Sequence, residues 1–138
     1  MNRRFSFWIF AAGVLGATAV GLSAWTSHGL AHYVADVQAL RIAEERAQAA
    51  NLTLLLHAVL LFGIGVWRRS DGGWLANLAG ALLLLGMALF CGGMYLLYIF
   101  NDLSSSPMVR LVPIGGLSLM AGWLCLAISA CSNSAYTD

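Results

Sequence analysis

The amino-acid sequence predicts an all-α integral membrane protein, a four-helix bundle with a polar, partly helical segment between its first two spans. Three observations lead there. First, 60% of the 138 residues are hydrophobic and only 9% are charged, whereas a soluble domain carries about 25% charged residues. Second, the apolar residues gather into four runs, at 5–25, 52–67, 74–100 and 111–130, each near the ~20 residues that cross about 30 Å of hydrocarbon. Third, short polar stretches separate the runs, and nothing extends far enough for a second, soluble domain, so residues 1–138 form a single transmembrane domain. The formal charge of +1 gives no reason to expect nucleic acid as a partner. Cys91, Cys125 and Cys131 have no CxxC spacing and sit in or beside apolar segments, where a free thiol behaves as a small hydrophobe.

In chain order, Arg3 and Arg4 precede the first run. A basic start and an apolar middle also fit a cleaved signal peptide, but a retained span is the expectation. Within it Gly13, Ala17 and Gly21 recur every fourth residue, a ridge that lets another helix approach closely. Residues 27–50 hold His28, His32, Asp36, Arg41, Glu44, Glu45 and Arg46. Arg41 and Glu45 are four apart on one helical face, and opposite charges mark a solvated helix. Neither Gly nor Pro interrupts residues 35–61, so this helix should run unbroken into the second span.

The second span carries His57 and closes at Arg68 and Arg69, followed by a tight turn at residues 70–73. The third would be about 40 Å long as one helix. It must therefore tilt, bend or protrude, and Gly92-Gly93 is the expected bend. A polar loop with Ser104, Ser105, Ser106 and Pro107 precedes the fourth span. There Pro113 suits a first helical turn, while Gly115, Gly116, Ser118 and Gly122 leave one side nearly bare beside Trp123. That face should meet the other spans and organise the bundle. Four spans place both termini on one side. Arg3, Arg4, Arg68 and Arg69 share it, against Arg41, Arg46 and Arg110 on the other side, of which Arg41 and Arg46 are matched by neighbouring acids, so both termini are expected in the cytoplasm.

With that topology the unusual residues gather in the outer half: His28, Asn51, His57, Cys91, Gly92, Gly93, Tyr95 and Tyr98. Ionisable groups inside a membrane keep to the bundle interior or a cavity. The first reading is a structural network, His57 bonded to Tyr95 or to a backbone carbonyl, at about 0.6 kcal/mol per bond. The second is an outward-facing pocket of His28, His57, Tyr95, Gly92 and Gly93 for a lipid, a quinone or another apolar ligand. A metal or haem on His28, His32 and His57 is a third. HxxxH puts the first two on one helical face, but Gly29 weakens that helix and no carboxylate stands behind either imidazole. No cofactor is therefore expected. No nucleophile–histidine or paired-carboxylate arrangement is found, so an enzyme is not expected either.

These residues also resemble a known family. Ser27-His28-Gly29-Leu30, His57, residues 89–95 (Leu-Phe-Cys-Gly-Gly-Met-Tyr) and Val112-Pro113-Ile114-Gly115-Gly116 through Gly122-Trp123 are similar, in order and spacing, to small bacterial inner-membrane proteins of the YgdD type. The chain departs from that pattern at Trp25-Thr26 and at Thr53-Leu54. The resemblance implies four membrane helices in a bacterial inner membrane and supplies no established activity. The combined expectation is a non-enzymatic accessory or assembly component, associated with other membrane proteins or with itself. A small-molecule binding or transport protein is the alternative.

Overall fold

The computed structural model describes residues 6–68, 73–100 and 107–134. Arg3, Arg4, Arg69, most of the 70–73 turn and residues 101–106 lie outside the described residues, as does the Tyr98 side chain. Every regular element among the described residues is helical, with four long helices: α1 (Phe7–His28), α2 (Val37–Trp67), α3 (Trp74–Gly93) and α4 (Leu111–Ser134). All four are long and apolar enough to cross a bilayer. A single 3-10 turn, Leu30–His32, follows α1, and another, Pro107–Arg110, leads into α4.

Local chemistry sets the boundaries. The α1 helix closes at Gly29, whose amide donates to the Trp25 carbonyl at 2.7 Å. Asp36 caps α2: its backbone is extended, and its carboxylate accepts the Ala39 amide at 2.7 Å. As expected, α2 then runs without interruption for 31 residues, about 46 Å. Its charged first third stands beyond the apolar span. The third span does change character at the double glycine. Past Gly93 the chain continues as a wider π-helix over Met94–Phe100, a form favoured at functional or strained positions.

The helices pack in chain order and antiparallel, α1 on α2, α2 on α3 and α3 on α4. One correction concerns the centre. The fourth helix is not the organiser, because it packs along α3, while α2 and α3 supply most of the core through Ala47, Ala50, Leu54, Leu61, Leu83, Met87 and Cys91. The close approach falls on glycines. A Cβ on Gly115 would lie 2.5 Å from the Phe90 amide nitrogen and 2.9 Å from the Leu89 Cβ. Leu119 fills the space left by Gly86, and Leu83 the space left by Gly122. Gly116, by contrast, has only a Phe90 ring atom at 3.9 Å. Pro113 lies exposed in the first turn of α4. At the other end of the molecule the Trp8 ring lies on Gly80, and Ile9 sits against Gly65. Large apolar side chains such as Val20, Leu56, Val59, Leu117 and Met120 point outward, which suits lipid rather than water.

Because the Gly115 contact is with backbone, Gly115→Ala should destabilise the protein by about 1–3 kcal/mol. Gly116→Ala should change stability far less. Thermal unfolding in mild detergent, followed by helix circular dichroism, compares the two.

Candidate functional site

Burial of hydrogen-bonding groups in an apolar medium forces them to find one another, and three helices do this near the Gly92-Gly93 end of α3. Tyr95, in the π-helical segment, donates its hydroxyl to Asn51 Oδ1 of α2 at 2.7 Å. The same hydroxyl lies 3.4 Å from Thr26 Oγ1 of α1. Thr26 in turn donates to the Leu22 carbonyl at 2.8 Å. One turn below, the Cys91 thiol donates to the Ala50 carbonyl at 3.4 Å. Thr26, Asn51, Cys91 and Tyr95 are all buried. Trp25 packs against Tyr95, ring centroids 6.5 Å apart, and so shields the bridge from the side of α1.

His57 forms a second, separate unit. Trp123 of α4 donates its indole N–H to His57 Nε2 at 3.2 Å. An indole nitrogen only donates, so Nε2 is the acceptor and Nδ1 carries the proton. Nδ1 then donates to the Thr53 carbonyl at 2.7 Å. Both ring nitrogens are thus engaged. Trp8 and Asn77 make a third unit at the opposite end, indole N–H to Oδ1 at 3.0 Å. Ser118 of α4 completes the set by donating to the Leu82 carbonyl of α3 at 2.8 Å.

The expected cluster is therefore divided. His57 does not bond Tyr95. It takes the backbone carbonyl of its own helix and an indole of α4, whereas Tyr95 takes Asn51. His28 ends α1 and His32 ends the following turn, both exposed. Among the described residues no three His, Cys, Asp or Glu side chains come together as metal ligands, so His28, His32 and His57 do not converge. Gly93 accommodates Val112 of α4, and Gly92 has no atom within 4 Å of its Cβ position. Gly13 and Gly21 likewise have nothing within 4 Å, and Ala17 is exposed, so among the described residues no helix packs closely onto the ridge of α1. The inward face of α1 is instead Ala12, Ala19 and Thr26.

Two hollows flank the bridge. A crevice of about 420 Å³ on the outer edge of the α1–α2 seam has Thr26 and Asn51 in its wall, with Ser23, Ser27, Glu44 and Gln48 around its mouth. An apolar groove of about 500 Å³ lies on the other side of the seam, against Leu54, Met87, Cys91, Gly92 and Tyr95. The sequence singles out Tyr95, Asn51 and His57, and Trp123 as a packing residue of the fourth span, but it does not single out Thr26, Trp8 or Asn77 as partners. A lone asparagine one turn inside the third apolar run was the available signal for the last pair.

Four spanning helices cross-linked by internal polar pairs define a polytopic membrane protein. The model of the family described as "Protein of unknown function (DUF423)" matches residues 22–116, and the chain belongs to that family. It is 34% identical over 120 residues to a UPF0382 membrane protein of Staphylococcus haemolyticus, covering 84% of this chain and 91% of that one. It is 30% identical over 122 residues to a UPF0382 membrane protein of Schizosaccharomyces pombe, covering 85% and 95%. No solved structure matches the chain at a significant level.

Tyr95→Phe and Asn51→Leu should each lower stability, and their double-mutant coupling should reach about 0.6–1.7 kcal/mol, the range for hydrogen bonds between membrane helices. Unfolding in mixed micelles measures it. Additive effects would mean that the bridge holds nothing together.

Proposed function

We propose that the protein is a non-enzymatic component of a bacterial inner membrane, an accessory or assembly element that joins a further transmembrane helix through α1. The observation behind this reading is the ridge of Gly13, Ala17 and Gly21, open along the outside of α1 with nothing against its two glycines. In lipid, helices associate by close packing of small residues rather than by a hydrophobic drive, and such a ridge is suited to it. Supporting it, the polar side chains buried among the described residues all have partners within the protein. They act as struts between helices, which leaves the outer surface as the place for interaction. The partner helix belongs to another membrane protein or to a second copy. Membership among the YgdD-type proteins and cytoplasmic termini are part of the same reading. The latter rests on the arginine count, and of the four arginines assigned to the cytoplasmic side Arg68 lies among the described residues, beyond the end of α2.

The apolar groove beside Gly92 and Tyr95 favours a second reading, a pocket for a small apolar ligand. Gly92→Leu would fill it.

Gly13→Leu together with Ala17→Leu should reduce the recovery of co-purifying membrane proteins, or of a dimer, by roughly tenfold, the loss of about 1.4 kcal/mol of association. The helix content should not change, because no packing inside the chain is disturbed. Unchanged complex size on gel filtration with light scattering, and unchanged partners in pull-downs from native membranes, would rule out the ridge.

A further inference from the structure

We infer that the outer edge of the α1–α2 seam binds one phospholipid whose headgroup ends in a primary ammonium, with Glu44 receiving the ammonium. This goes beyond association through the ridge and does not depend on it. The crevice of about 420 Å³ at the mouth of the seam adjoins a second groove of about 310 Å³ further along the same edge, and Leu55 lines both. Together they form one furrow with a strong chemical gradient. Glu44, Gln48, Leu52, Leu55, Val59 and Phe62 of α2 line it at successive turns, about 5.4 Å apart. On α1, which runs the opposite way, Ser27 and Ser23 face the polar half, and Gly16 and Gly13 floor the apolar half.

The order of groups matches one kind of molecule. From Leu52 to Phe62 the furrow is about 15 Å long, half of the ~30 Å hydrocarbon thickness, and so the depth of one leaflet. Gly13 and Gly16 have no atom within 4 Å of their Cβ positions. Their missing side chains open a slot there for an acyl chain. Above Leu52 come the neutral groups, Gln48 with Ser23 and Ser27, which can donate to phosphate oxygens. The Ser27 hydroxyl here donates to the Ser23 carbonyl at 3.1 Å, an exposed bond that a phosphate oxygen can replace. One turn further from the membrane stands Glu44. Chain, phosphate and ammonium follow one another in the same sequence in an ethanolamine phospholipid.

Headgroup choice follows from charge. Glu44 is the ionisable side chain among the described residues lining the crevice. It repels a purely anionic head, whereas an ammonium offers it both charge and N–H donors. A choline head has the charge without the donors. A transmembrane helix of another protein would fit less well, since its apolar side chains would have to cover a carboxylate, an amide and two hydroxyls.

The test is native mass spectrometry of the full chain from bilayer discs holding equal amounts of ethanolamine, glycerol and choline phospholipids with identical chains. One ethanolamine lipid per chain should be retained, favoured roughly five- to tenfold over the other two, as one charge-assisted hydrogen bond at a half-open site would give. Glu44→Gln, which keeps size and shape, should abolish that preference, while Glu45→Gln on the neighbouring exposed face should keep it. Gly16→Leu should remove the retained lipid of every class, and free phosphoethanolamine at millimolar concentration should not displace it. Retention without headgroup preference, or a preference that survives Glu44→Gln, would overturn the assignment. Displacement by phosphoethanolamine would show a soluble amine site instead and would overturn it too. The same spectra separate lipid adducts from dimers by mass, so failure here is distinct from failure of the ridge.

Discussion

The structure depends on a requirement that water would relax and lipid does not: a polar side chain inside the membrane must be answered by another part of the protein. Each such pairing ties two helices at one height. Tyr95 answers Asn51 and contacts Thr26, joining α3, α2 and α1 near the polar end of the seam. Trp8 answers Asn77 at the opposite end. Trp123 brings α4 to α2 through His57. Single bonds of this kind are modest, about 0.6 kcal/mol on average in membrane proteins, but they are directional. They set rotation and register where dispersion between leucines would permit several alternatives.

Close packing supplies what the bonds do not. Between α3 and α4 the backbones meet at Gly86, Gly115 and Gly122, with Leu119 and Leu83 seated in the gaps. The chain uses small residues in two different ways. On α4 they are buried in contact with α3; on α1, Gly13, Gly16, Ala17 and Gly21 lie on the outward side, beyond the buried stripe of Ala12 and Ala19. Bare surface on α1 borders both the ridge offered to another helix and the furrow that suits an acyl chain. The polar end of α2 continues that furrow past the hydrocarbon, and Gly13 belongs to both surfaces, so association and lipid capture would meet on one helix at that residue.

The candidate site was legible in part. Tyr95, His57 and the double glycine stood out because each is anomalous within an apolar run, and all three do take part in interhelical contact or a change of helix form. Which residue pairs with which was not legible. His57 and Tyr95 lie at comparable depth, but depth is one coordinate of two, and the helical azimuth sends His57 toward α4 and Tyr95 toward the α1–α2 seam. Asn51 stands out at the start of the second span, but Thr26 is an ordinary residue near the end of the first, and the hydroxyl that joins them lies 44 residues from Asn51 and 69 from Thr26 in sequence.

By itself the sequence determined that the chain lives in a bilayer as four helices, since the length and composition of its apolar runs admit no other way to satisfy the backbone. It also determined the unbroken α2, because nothing between residues 35 and 61 interrupts a helix. Only the tertiary structure decided which face of each helix is inside. Lipid and protein interior are equally apolar, so a leucine stripe carries no sign of its neighbour, and small residues mark close approach without naming the partner. That is why α2 and α3 rather than α4 hold the centre, and why the glycines of α1 look outward.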